Sequence, residues 1–192
     1  VTEDGQQVLV AVPTDLAGVR AAEPSKLIAL SGSYTGALEC HQVSVPREYS
    51  LAGPAENVMA QRIGGNTGGL QTSALAIGLS RAAVRYLQQE ASKRPELMSP
   101  AVSLGNELDA LEVDLLARAE GQQDCTLEEI RARANSIVLR TTQSALAAAK
   151  GAGFVAGHPV GRWCREALFF LVWSCPQPVV NAALCELAGL SE

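Results

Sequence analysis

With 192 residues, 47% of them hydrophobic, the chain has the material for a substantial core in one or two domains. Charged residues make up 18%, the formal net charge is −5, and the longest basic run is the pair Lys93-Arg94. That excludes the basic stripe of a nucleic-acid-binding protein, and no apolar stretch reaches the ~18 uninterrupted residues expected of a membrane span.

The first fifty residues read as β-structure. Residues 7–12 alternate, with Val8, Val10 and Val12 on one face and Pro13 closing the strand. After a turn through Gly18, Val19 restarts an extended run. Residues 27–30 predict a short apolar strand, broken at Gly32-Ser33, and residues 34–45 a further extended segment. Pro46 is expected to stop the sheet, because proline donates no ladder hydrogen bond. Strands without intervening helices imply antiparallel neighbours, here an open sheet incomplete at its start.

After Pro54 the period lengthens to about 3.6. Leu70, Ala74, Ile77, Val84, Leu87 and Ala91 share a helical face that Arg81 interrupts, and Pro95 and Pro100 end the helix. Leu104, Leu108, Leu111 and Leu115 form a core stripe, with Glu107, Glu112 and Asp114 outside it and Gly121 at its end. Thr126 and Glu129 make a capping box for a helix carrying Leu127, Ile130, Ala134, Ile137, Thr141, Ser144 and Ala148. The small residues Ser144, Ala145, Ala148 and Ala149 predict close approach of another helix, and with the exposed sheet edge they predict an oligomer. Gly151 and Gly153 break that helix, Pro159 opens a short one, and Pro176 and Pro178 open the last, capped by Gly189. The expected fold class is α+β: an antiparallel β-segment over residues 1–54, then an α-helical up-and-down bundle over 55–192 with long helices starting near Leu70, Leu104 and Thr126.

Five widely spaced cysteines form no CxxC pair and have no histidine at ligand spacing, so no metal site is expected and reduced thiols in a cytoplasmic protein are the reading. The chain begins at Val1 without a signal peptide, which suggests processing or a longer polypeptide. His41 and His158 lack catalytic partners at motif spacing, and no G-x-S-x-G elbow occurs. Gly64-Gly65-Asn66-Thr67-Gly68-Gly69 lacks the Lys-Ser/Thr of a phosphate loop and reads as a distorted start to the first long helix.

Several fragments, in order, resemble the acyl-CoA dehydrogenase family from the end of its β-domain through its C-terminal helical domain. Val12-Pro13 with Gly18-Val19, Ser31-Gly32-Ser33-Tyr34-Thr35 and Val43-Ser44-Val45-Pro46 are similar to its β-domain phrases. Ala76-Ile77-Gly78-Leu79-Ser80-Arg81-Ala82 resembles its first long helix, and Lys150-Gly151-Ala152-Gly153-Phe154 its "G-G-x-G-F/Y" loop. His158-Pro159-Val160 with Arg162, then Arg165-Glu166-Ala167, resembles "P-V-x-R…R-D-A".

The resemblance implies an FAD-binding oxidoreductase of acyl thioesters, assembled from like chains as a homo- or hetero-oligomer. The family's arginine of "R-x-x-F-G", which holds the flavin pyrophosphate across a subunit interface, falls on Arg94. The glycine whose backbone faces the neighbouring subunit's flavin falls on Gly151. For Arg94 a solvated helix-end arginine is the competing reading; for Gly151 and Gly153 it is plain helix termination.

The departures are chemical. The family's catalytic carboxylate falls on Ser174, or in relatives with the base on the first helix on Gly68 or Gly69, so no catalytic residue is assigned. The flavin-contacting threonine becomes Pro176, and the glutamine three residues before the glycine loop becomes Ala147. Three readings follow. One is an active dehydrogenase-like enzyme with its base elsewhere; another is a non-catalytic subunit supporting a partner; the third is an acyl-CoA or acyl-carrier thioester-binding protein without flavin.

Overall fold

Local signals and long-range packing agree best in the second half of the chain. The computed structural model describes residues 2–58, 69–122, 124–173 and 175–190, and separates into two units, Val1–Thr67 and Gly68–Glu192.

The first unit holds two antiparallel ribbons. β1 (Gln7–Val10) pairs with β4 (Ser50–Ala55), and β2 (Val19–Ala21) pairs with β3 (Leu38–Cys40). Gly18 makes the turn into β2 possible: its φ is +88°, and a Cβ there would lie 2.2 Å from the His41 carbonyl oxygen. Three expectations are corrected. The strands form two separate ribbons rather than one open sheet. Residues 27–30 are not a strand; the run lies on the surface, with Ile28 72% exposed. Pro46 does not stop the sheet, because β4 follows it and carries Pro54 within a two-stranded ribbon, where a missing N–H is tolerated on the free edge. Among the described residues of this unit, Val58 is the one that is buried.

The second unit is helical. α1 (Leu70–Ala91), α2 (Met98–Ala119) and α3 (Leu127–Ala149) are long; α4 (Pro159–Ala167), α5 (Phe169–Val172) and α6 (Gln177–Leu187) are short. α2 begins six residues before the expected Leu104, with Pro100 in its first turn, where a missing N–H costs nothing. The capping box forms as predicted: Thr126 Oγ1 accepts from Glu129 N at 3.1 Å, and Thr126 N donates to Glu129 Oε2 at 2.7 Å.

The run of the helices follows from their cross-links. Arg81 pairs with Asp109 and Glu112, while Gly105 lies beside Val84 and Gln88, so α1 and α2 are antiparallel. Arg133–Asp114 at 2.6 Å and the Arg140–Glu107 pair give the same sense for α2 and α3. Arg81 therefore interrupts the apolar face to meet the acids of α2. The core lies between these helices: Leu108 is fully buried and Leu111 nearly so, against Val84, Leu87, Ile130 and Ile137.

α3 is central, packing on α1, α2, α4 and α6. Beside the expected seam it buries a second stripe, Arg131, Asn135, Val138, Thr142, Ala145 and Ala149. The small residues do permit close approach, but within the chain: Ala145 and Ala149 pack with Ala83 of α1 and Val160 of α4.

The Arg140 cross-link carries a pH dependence. Hydrogen bonds from Arg140 hold the Glu107 carboxyl below the ordinary glutamate value of 4.5, so its stabilisation is full above that pH and is lost as pH falls through the lowered value. Thermal melts are expected to fall progressively below about pH 4.5, and Glu107→Gln to make that decline shallower. An unchanged slope in the variant would show that the pair contributes nothing.

Candidate functional site

Arg94 lies just past α1, at the turn Pro95–Leu97. Its Nη2 donates to Glu90 Oε2 at 2.8 Å and to the Ala148 carbonyl at 2.5 Å, tying the end of α1 to the last turn of α3. Lys93 Nζ reaches Glu90 Oε1 at 3.1 Å, so Glu90, Lys93 and Arg94 together carry one net positive charge. Nε and Nη1 of Arg94 make no side-chain hydrogen bond among the described residues, leaving their N–H groups, though not a bidentate edge, for an anion.

Gly151 lies in the 3-10 turn Lys150–Phe154, and a Cβ there would meet nothing within 4 Å. The fold of this chain does not require a glycine at that position. Gly153 and Gly161 differ. A Cβ on Gly153 would sit 2.8 Å from Ala149 Cβ, and one on Gly161 2.6 Å from the Gly153 carbonyl oxygen, so α4 seats directly on the loop. Lys150 rather than Gly151 takes the positive φ at the helix end, +54°; it stands at the first glycine of the motif. Gly151→Ala is expected to leave the melting temperature unchanged, whereas Gly161→Ala should cost about 1–3 kcal/mol. Equal losses would return Gly151 to a structural role.

His158 caps α4, its Nδ1 accepting from Val160 N at 3.3 Å, and Tyr86 stands edge-on to both His158 and Trp163. Glu166 is engaged by Arg162 at 3.5 Å within α4. Gly69 is the N-cap of α1 and Pro176 that of α6; Gly68 and Ser174 lie outside the described residues.

A polar cluster that the sequence pattern does not single out sits where α3 meets the segment after α5. Arg131 is 1% exposed. Its Nε donates to Asn135 Oδ1 and its Nη2 to the Trp173 carbonyl, both at 3.0 Å, while Nη1 has no partner among the described residues. Asn135 Nδ2 donates to the Phe170 carbonyl at 2.9 Å and lies 3.6 Å from Cys175 Sγ. Burial pushes the Arg131 guanidinium below its ordinary value, and the Cys175 sulfur acts against that. The available signal was spacing: Arg131 and Asn135 are four apart, in line with Val138 and Thr142.

No protein-family model matches the sequence, and no curated protein matches it significantly. Solved structures match over nearly the whole chain. Glutaryl-coenzyme A dehydrogenase superposes with a TM-score of 0.69 at 18% identity, over 93% of this chain and 49% of that one. Butyryl-CoA dehydrogenase from Megasphaera elsdenii gives 0.72 at 14%, over 96% and 52%. An FAD-dependent dehydrogenase gives 0.68 at 12%, over 96% and 54%. The chain thus spans about half the length of each, and no helix among its described residues is long and apolar enough to cross a membrane. By fold, this chain resembles about half of an acyl-CoA dehydrogenase, a β-segment followed by a helical bundle.

Proposed function

We propose that the chain is the β-segment and bundle half of an acyl-CoA dehydrogenase-like flavoprotein subunit that lacks its own catalytic base and supports an oligomer of like chains in the cytoplasm. The observation that carries this is the superposition over 93% or more of the chain on dehydrogenases of acyl thioesters and on an FAD-dependent dehydrogenase. The β-ribbons bury almost nothing among their described residues, which supports a partner surface or further strands completing that layer.

The residues present fit a flavin pyrophosphate at the bundle end. Arg94 would offer its Nε–H or Nη1–H groups, in a cluster of net positive charge, and the bare backbone of Gly151 would admit close approach. When bound, FAD supplies a hydride acceptor. This chain's part is to hold a phosphate and keep the loop at residues 150–154 against α4.

A second reading is favoured by the missing carboxylates: an acyl-thioester or acyl-carrier binding protein that does not use flavin. The visible spectrum of the purified chain, with whatever it assembles with, separates the two. The expected result is a flavin spectrum that weakens in Arg94→Gln. A colourless assembly that still retains acyl-CoA on gel filtration would overturn the flavoprotein reading.

A further inference from the structure

α6 packs on α3 but buries only Val179 among its described residues, and an open cavity of about 240 Å³ remains between the two helices. Its lining is of two kinds. Leu139, Ala183 and Leu187 present hydrocarbon, while Ser136, Arg140, Gln143 and Glu186 bring polar groups. A relay across three helices orders the polar side. Arg140 binds both carboxylate oxygens of Glu107 on α2 and donates through Nε to Ser136 Oγ at 3.0 Å. Ser136 Oγ donates in turn to Glu186 Oε1 at 2.6 Å.

The charges on this relay do not balance. Arg140 is the one cation among the lining residues, and its two-point pairing is spent on Glu107, with Nε 3.7 Å from Glu186 Oε1. Two carboxylates thus share one guanidinium, a net charge of −1, and Glu186 Oε2 has no hydrogen-bond partner among the described residues. An acceptor held in place beside a hydrocarbon wall is matched by a cation that carries N–H donors and a short apolar tail.

We propose that this cavity binds a small aliphatic primary amine as its ammonium ion, the head donating to Glu186 and the tail lying against Leu139, Ala183 and Leu187. A carboxylate of the same length meets the unbalanced charge of Glu186 and is repelled. An alcohol still donates to Oε2 but forgoes the charge assistance that makes such a bond strong. Gln143 is neutral and does not choose among the three. At about 30 Å³ for each water-sized group, the cavity holds a head and a tail of several carbons. The proposal uses neither Arg94 nor Gly151, so it and the flavoprotein reading can fail separately.

The experiment titrates hexylammonium chloride into the full, isotopically labelled chain at neutral pH and constant ionic strength, following backbone amides by NMR, with hexanol and hexanoate as controls. Saturable movement of amides at residues 136–143 and 183–187 is expected, with a Kd of about 1 mM, the affinity open to so few atoms. Hexanol and hexanoate should bind about tenfold more weakly. Glu186→Gln should bring hexylammonium down to the level of hexanol, and Ala183→Leu, which fills the cavity and keeps the carboxylate, should abolish the movement for every ligand. Glu186 is half exposed and Ala183 borders free space, so both variants are expected to fold. Hexanol or hexanoate binding as tightly as hexylammonium to the unaltered chain would overturn the proposal whether or not the variants fold. Undiminished binding to Ala183→Leu would also overturn it, reducing the contact to ion pairing at the surface.

Discussion

Given FAD, an acyl-CoA and an electron acceptor, the 192-residue chain alone is expected to turn over at about 10⁻² to 10⁻⁴ of the rate of an enzyme with a positioned base. Dehydrogenation needs a carboxylate at the substrate α-carbon, held there while the β-carbon loses a hydride. The positions that the family resemblance assigns to that base hold Ser174 and Gly68 or Gly69, none of them a carboxylate, and the threonine position holds Pro176. Glu166, the nearest acid in sequence, is turned along its own helix toward Arg162. The check is acyl-CoA-dependent reduction of an acceptor dye, with and without a second dehydrogenase-like chain. Ordinary turnover by the chain alone, abolished in Glu166→Gln, would overturn this expectation; turnover only in the mixed assembly would identify a supporting subunit.

Leu108→Ala is expected to destabilise the bundle by about 3–4 kcal/mol, in the range for a buried leucine whose cavity closes only in part. Leu108 is fully buried in the middle of the α2 stripe, beside helices cross-linked on both sides, so little can move in to fill the space. Set against a total of about 5–15 kcal/mol for a typical domain, that loss is large. Val113→Ala on the same helix, at a position 64% exposed, should change stability by no more than about 0.5 kcal/mol. Urea titration of both variants decides the matter: equal midpoints would mean that the leucine stripe is not the core.

The helices were legible because their signals are local. The leucine spacing of four and three, the Thr126–Glu129 box and the glycines at 121 and 189 each act within a turn or two of chain. The β-segment was less so. An apolar run such as residues 27–30 reads as a strand from its composition, but here it lies on the surface outside any strand; β4 was hidden because a proline at 46 and another at 54 argue against a strand that only an edge can accommodate. The candidate site divides in the same way. Arg94 and Gly151 came from ordered motifs, and the structure places them at the chain positions flanking the ends of α1 and α3. Gly161 and the Arg131 cluster were silent, since their importance lies in a carbonyl eight residues away and in a segment some forty residues further on.

The bridge from Arg94 to the Ala148 carbonyl joins two helices that both end at that point, each antiparallel to α2. Two helix C-termini bring the negative ends of two helix dipoles together, and the guanidinium stands beside both. An anion that engages the remaining N–H groups of Arg94 only in the folded chain is thereby linked to the equilibrium between folded and unfolded protein. Occupancy becomes readable as heat resistance: at 100 times its dissociation constant such a ligand adds about 2.7 kcal/mol, whatever its colour or chemistry.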